Sequence, residues 1–293
     1  MAQQLKNLYN ENYIQVLSQN ITKHYPSFDS NSFKTSVFTT TWEEKELKQR
    51  MRHIANTLCT FLPKNYADSL LILQHTFPDM DNRYALENMI FQDYVEVYGL
   101  EHFDVSMDAL ACFTMNSSSE FAIRQFILKD PSKTMEKMLV WATSENEHLR
   151  RLASEGCRPR LPWAIALPLF KREPEKVLEI LELLKDDSSK YVQKSVANNL
   201  NDISKDNPQI VIAITKKWLG KSKERDWILK HGCRTLLKAS DKETLELFGF
   251  KENKNLSLAN FTYTKNTSEK NNLEFNFILT SKEKLGKLRI EYA

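Results

Sequence analysis

Residues 191–197 read YVQKSVA, behind the run Asp187-Ser-Ser-Lys-Tyr-Val192. The pattern is an apolar residue, then polar or basic residues, then a small residue one helical turn on. FAIRQFI from Phe121, HLRRLA from His148 and DWILKHG from Asp226 repeat it. Their apolar starts are Ile123, Leu149, Val192 and Ile228, and the last two steps, 43 and 36 residues, approach the period of HEAT-type helix pairs. Helix pairs of this kind stack into a curved solenoid, with the second helix of each pair lining a concave surface suited to an extended ligand. The expected fold over residues 1–250 is therefore mainly α, a HEAT-like helical-repeat solenoid.

Outward from these segments the apolar spacing stays helical to about residue 250, with breaks at Pro26, Pro63, Pro78, Pro131, Pro162, Pro174 and Pro208. Thr41 and Glu44 stand at capping-box spacing ahead of a stripe of Leu47, Met51, Ile54 and Leu58. The same reading predicts helices over 66–77, 87–98, 107–115, 120–128, 133–141, 145–154, 163–170, 174–184, 190–203, 208–219 and 222–238. After Asn253 the period changes to two. Leu256 and Leu258, then Leu273, Phe275, Phe277 and Leu279, then Leu288, Ile290 and Tyr292 predict three strands over 254–293. A sandwich needs about seven strands, so these read as a short β module cut short, or as one with an exposed edge that must be covered.

Composition narrows the chemistry. The 293 residues carry 41 Lys and Arg against 38 Asp and Glu, a net charge of +3, and 41% hydrophobic residues, enough for a buried core. Only 6 glycines occur, which argues against glycine-rich phosphate loops and turn-dense β folds. Cys59, Cys112, Cys157 and Cys233 lie tens of residues apart and read as buried thiols, neither a disulfide framework nor a metal site. The 6 histidines are equally scattered, so neither a metal nor a cofactor is expected. With no apolar run long enough to span a bilayer and no signal-peptide pattern at the N-terminus, the expectation is a cytoplasmic protein with no membrane partner.

Arg150 to Trp163 reads RRLASEGCRPRLPW, with four arginines, one carboxylate and a tryptophan in fourteen residues. Gly156, Pro159 and Pro162 end the helix just after Glu155. An acid at a helix C-terminus opposes the macrodipole unless cations offset it. Such an acid ringed by arginines suits a functional site, while spacing equally allows Glu155 to pair with Arg151 or Arg158 and Trp163 to pack in the core. Glu120, at capping-box spacing from Ser117, reads first as an N-terminal cap. Asp202 follows Asn198, Asn199 and Asn201 near a helix end, as a cap or a groove-facing polar site. Between Lys216 and Lys238, eight cations face only Glu224 and Asp226, interleaved with Trp218, Trp227 and His231, which is either a phosphate-binding footprint or a solvated helix face.

SSSEFAIRQF, RRLASEGCRPRLPW and SVANNLNDISKDNP together resemble the AlkC branch of the HEAT-like alkylpurine DNA glycosylases, and TWEEKELKQRMRHIA and YVEVYGL are similar to that family as well. The likeness covers about residues 1–245. It implies a catalytic cluster of Glu120, Glu155, Trp163 and Asp202 on the concave side. The implied reaction is excision of small cationic lesions, chiefly N3-methyladenine, from duplex DNA without flipping the nucleotide into a pocket. Arg150, Arg151, Arg158 and Arg160, with Lys216, Lys217, Lys221, Lys223, Lys230 and Arg234, would then hold phosphates of a DNA partner. Some family members carry a C-terminal immunoglobulin-like domain, which residues 254–293 resemble in their opening strands. The chain is expected to act as a monomer. A non-catalytic HEAT-repeat scaffold for DNA or protein is the alternative that the solenoid permits and the four-residue cluster argues against; a nuclease, which usually needs a metal-binding carboxylate cluster, is weaker.

Overall fold

The computed structural model describes residues 4–250, 255–266, 272–282 and 286–288. Six helices open the chain: α1 (Glu11–His24), α2 (Ser30–Val37), α3 (Leu47–Phe61), α4 (Tyr66–Thr76), α5 (Met89–Tyr98) and α6 (Phe103–Phe113). The next six are α7 (Ile123–Lys129), α8 (Pro131–Ala142), α9 (Glu147–Gly156), α10 (Pro168–Arg172), α11 (Glu175–Leu184) and α12 (Lys190–Ile203). The last four are α13 (Pro208–Trp218), α14 (Lys223–Gly232), α15 (Arg234–Lys238) and α16 (Lys242–Leu247). None of the described helices is long and apolar enough to cross a membrane.

Helix starts follow side-chain capping chemistry. Asn10, Asp29, Asn65, Asp130, Asn146, Ser222 and Asp241 each accept a backbone N–H of the following turn, satisfying donors that have no intrahelical partner. Pro131, Pro168 and Pro208 open helices at the position where a missing N–H costs nothing. The predicted Thr41–Glu44 capping box is not there. Residues Trp42–Glu44 form a separate 3₁₀ turn, and the box that starts α3 is Glu46 with Gln49.

Successive helices pair and the pairs stack. α8 packs on α9, α11 on α12 and α13 on α14, while α9, α12 and α14 pack side by side as one continuous layer. This is the helical-repeat arrangement that the spacing predicts, with one apolar core running from Tyr9 to Leu236. The layer is tight where it matters. A Cβ on Gly232 would stand 3.1 Å from Leu200 Cβ, so glycine lets α14 lie against α12.

Two helical predictions fail. The span 163–170 is not a helix: Trp163 has φ +63, left-handed backbone that no α-helix contains, and only Pro168–Arg172 coils. The span 222–238 is two helices broken at Cys233. Of the four cysteines, Cys157 and Cys233 are buried but Cys59 and Cys112 are half-buried. The β segment among the described residues is one antiparallel hairpin, β1 (Leu256–Asn266) and β2 (Asn272–Ser281), not three strands. A bulge interrupts its register between Ala259 and Thr262, where Asn260 takes φ +55. Of the third predicted strand, Ile290 and Tyr292 lie outside the described residues. Leu288 joins no ladder, and its neighbour Lys287 makes one isolated bridge to Phe250.

Candidate active site

The ends of two layered helices and one inter-helix turn bring three acids to one place. Glu155 lies one residue before the end of α9, Asp202 one before the end of α12, and Glu120 in the turn that precedes α7. Two arginines join them. Arg158 donates from Nη1 to Glu155 Oε1 at 2.7 Å and from Nε to Asp202 Oδ2 at 2.9 Å. Arg151, one turn before Glu155 on α9, pairs through Nη1 with Glu120 Oε2 and places Nη2 3.6 Å from Glu155 Oε1. The charges therefore alternate along a chain Glu120, Arg151, Glu155, Arg158, Asp202.

That alternation is what allows the chain to be buried. Glu155, Arg158 and Asp202 are 6%, 6% and 2% exposed, and isolated charges at such depth would cost several kcal/mol each. The Glu155 carboxylate also accepts from Ser195 Oγ at 2.6 Å, and Ser195 in turn accepts from Ser154 Oγ at 2.7 Å. Asn199 Nδ2 donates to the Ser154 carbonyl at 2.8 Å, completing a polar seam between α9 and α12. Lys205 adds a second cation 3.4 Å from Asp202 Oδ1.

The acids are not equivalent. Burial pushes the Glu120 carboxyl above its usual range; Arg151 opposes the shift and the Glu155 charge adds to it. Burial pulls the Arg151 guanidinium down, but Glu120 and Glu155 outweigh it and hold it above its ordinary value. Arg158 is likewise raised against burial, by Glu155 and Asp202. Glu120, at the edge of the chain, is in direct contact with one guanidinium, that of Arg151.

Trp163 does not pack in the core. It is 66% exposed, and its backbone carbonyl accepts the ammonium of Lys48 from α3. Trp163 lines a cavity of about 740 Å³ together with Glu120, Phe121, Met51, His148 and Tyr191. Glu155 and Asp202 lie outside that lining, so the cavity meets the charge chain at Glu120. The Arg151 guanidinium sits 4.9 Å from the centroid of the Tyr191 ring, a cation–π contact at the same junction. Among the described residues no group of three or more His, Cys, Asp or Glu side chains stands close enough to hold a metal ion.

The structure separates the cations that the sequence groups together. Arg151 and Arg158 lie inside the acid chain. Arg150 makes a bidentate pair with Asp187 at 2.6 and 3.1 Å, and Arg160 one with Asp206 at 2.9 and 2.6 Å. Lys216 pairs with Glu243, and Lys217 with Glu182 at 3.2 Å. Arg234 donates to Asn198 Oδ1 at 3.1 Å and to the His231 carbonyl at 2.8 Å. Lys221, Lys223 and Lys230 are exposed and enter no ion pair among the described residues.

Glu120 is not an N-terminal cap. α7 begins at Ile123, and Ser117 Oγ donates to the Ala85 carbonyl at 2.7 Å, away from Glu120. Asn198, Asn199 and Asn201 do not cap α12 either: they face neighbouring helices, Asn201 Oδ1 accepting from Thr235 N and Oγ1. Ser195 and Tyr191 went unnoticed in the sequence although both lie within YVQKSVA. Their residue types carry no signal of their own, and only the helical face they share marks them.

The span 113–236, which contains all four predicted catalytic residues, matches the family model described as DNA alkylation repair enzyme. The uncharacterized protein YhaZ of Bacillus subtilis is 45% identical over 290 residues, covering 99% of this chain and 80% of that protein. A solved structure of Pseudomonas fluorescens alkylpurine DNA glycosylase AlkC, bound to DNA containing an abasic site analog, is similar with a TM-score of 0.82 and 36% identity. The match covers 90% of this chain and 72% of that one.

Proposed function

The chain belongs to the AlkC branch of the HEAT-like alkylpurine DNA glycosylases, and from that premise we propose that it hydrolyses the N-glycosidic bond of small cationic alkylated bases, chiefly N3-methyladenine, in duplex DNA. The observation that carries the reading is the buried chain of Glu120, Arg151, Glu155, Arg158 and Asp202, which collects three acids from distant segments and meets the Trp163 cavity at Glu120.

Alkylation at a ring nitrogen makes the base a cationic leaving group, so departure needs little acid assistance. The enzyme's task is to stabilise the positive charge that develops on the sugar and to position water. Carboxylates serve both purposes by electrostatic stabilisation and general-base contact. Glu155 and Asp202 are assigned these two tasks. A guanidinium cannot lose its proton at neutral pH, and Arg158, bonded to both, fixes their separation before substrate arrives. Glu120 orients Arg151 and through it Glu155. The exposed Trp163 ring offers a face for stacking or cation–π contact with the lesion. In this reading the damaged base stays in the duplex and is not flipped into a pocket.

Duplex DNA carrying alkylated bases is the proposed partner. Lys221, Lys223 and Lys230, free of ion pairs among the described residues, are the cations best placed to exchange solvent for phosphate. The β1–β2 hairpin is read as the start of an immunoglobulin-like module. The test is the double variant Glu155→Gln/Asp202→Asn: loss of base release with duplex binding retained supports the glycosylase. Unchanged release, or a parent that binds DNA and releases nothing, favours a non-catalytic repeat scaffold.

A further inference from the structure

Arg124, in FAIRQF, is a fully buried cation outside the acid chain. It is 0% exposed, and among the described residues it pairs with no carboxylate. Burial pulls its guanidinium down to about 10. A cation held at such depth with no carboxylate in direct contact needs strong local acceptors. Its partners are three backbone carbonyls, one on the last residue of α9 and two in the loop that follows: Nη1 donates to Gly156 at 3.0 Å and to Arg158 at 2.8 Å, and Nε donates to Ile165 at 2.7 Å. Its Nη2 has no hydrogen-bond partner among the described residues.

Those carbonyls span the segment that carries the proposed chemistry. Gly156 follows Glu155, Arg158 is the residue that bridges Glu155 and Asp202, and Ile165 lies two residues past Trp163. Gly156 closes α9 and Arg158 follows it by two residues, at a terminus where helix carbonyls lack intrahelical donors and a cation is favoured by the macrodipole. Arg124 therefore also offsets the unfavourable placement of Glu155 at that terminus. The loop is closed across its base by Leu167 N donating to the Pro159 carbonyl at 3.1 Å. At its tip, Trp163 stands on left-handed backbone, and its carbonyl is tied to Lys48 of α3, whose ammonium also lies 4.3 Å from the centroid of the Phe121 ring.

We propose that Arg124 and Lys48 are positioning residues that clamp this loop from below and from its tip, fixing the Trp163 ring relative to the Glu155–Arg158–Asp202 group. The proposal rests on the glycosylase reading for its kinetic consequence and on geometry alone for its structural one. Arg124→Lys keeps a cation but cannot reach three carbonyls in a fork. Misplacing a group by about 1 Å costs on the order of 10²-fold in rate.

The experiment compares the parent, Arg124→Lys and Lys48→Met in two measurements. The first is single-turnover release of N3-methyladenine with the duplex Kd determined separately. The second is acrylamide quenching of Trp163 fluorescence, isolated by subtracting the Trp163→Phe version of each protein. The expected result is a fall in release rate of tenfold or more in Arg124→Lys with Kd within about twofold, and a more readily quenched Trp163 in both variants. Rates within twofold of the parent together with unchanged quenching overturn the clamp, as does a loss of rate that only tracks the unfolded fraction seen by circular dichroism. If Arg124→Lys does not fold, the exposed Lys48→Met decides alone: unchanged quenching and rate overturn the proposal. A parent that releases no base defeats the glycosylase reading but leaves the quenching comparison as the test of the clamp.

Discussion

Replacing Arg158 by Met probes the central charge arrangement. Methionine retains much of the side-chain volume and removes the charge that Glu155 and Asp202 share. Truncating one partner of a buried charged network costs about 3–5 kcal/mol, because the remaining charge is left without compensation. Here the lower end applies. Glu155 keeps the Ser195 hydroxyl at 2.6 Å and Arg151 at 3.6 Å, and Asp202 keeps Lys205 at 3.4 Å. Arg158→Met should therefore cost about 3 kcal/mol, which for a chain of this size lowers Tm by about 6 °C. Urea unfolding followed at 222 nm reads the loss directly. The same change made in a Glu155→Gln/Asp202→Asn background should cost nothing or stabilise, since Arg158 is there the buried charge left without its partners. A loss under about 1 kcal/mol in the parent, or equal losses in both backgrounds, would refute the idea that Arg158 compensates buried carboxylates.

Three further outcomes follow from particular contacts. Burial raises the Glu120 carboxyl in the folded protein above its unfolded value, so above about pH 4.5 the native state binds more protons than the unfolded state and stability falls as pH rises through the folded value; Glu120→Gln should flatten that fall in urea midpoints, and an equally steep fall would contradict it. A Cβ on Gly156 would meet Ile123 Cγ2 at 2.6 Å whereas one on Gly232 meets Leu200 Cβ at 3.1 Å, so Gly156→Ala should lose about 1–3 kcal/mol and Gly232→Ala less, with the reverse order in thermal melts counting against the packing. If the chain binds duplex DNA, Lys223→Ala/Lys230→Ala should reduce the slope of log K against log salt by about 1.8. Lys216→Ala/Lys217→Ala, whose lysines already face Glu243 and Glu182, should reduce it less, and equal slopes for the two pairs would remove the distinction drawn here.

The helical part of the fold was legible because the apolar stripes are local. The helix read over 190–203 is Lys190–Ile203 in the structure, and YVQKSVA packs where the repeat pattern puts it. What misled was capping chemistry taken without its backbone. Thr41 with Glu44 and Ser117 with Glu120 have box spacing, yet Trp42–Glu44 closes as a 3₁₀ turn and Ser117 turns to the Ala85 carbonyl. The segment from Trp163 failed for the same reason, since a positive φ between two prolines leaves no trace in apolar periodicity. Pairing of Glu155 with Arg151 or Arg158 was one of two readings that helix spacing allowed, and the structure contains both pairs. The contacts from Arg158 to Asp202 and from Arg151 to Glu120 cross 44 and 31 residues, and no spacing rule reaches that far. Hence arginines that looked like phosphate ligands in sequence are the inner counter-ions of the acids, a distinction that only the stacking of α9 on α12 makes visible.

Release of N3-methyladenine from methylated duplex DNA, by the parent and by Glu155→Gln at matched protein concentration, tests the catalytic role of the buried acids most directly. Release by the parent and its loss in the variant are expected, with the variant still folded and still bound to the duplex. Equal release by both proteins would contradict that role, because the buried acid held by Arg151, Arg158 and Ser195 would then have no part in the reaction.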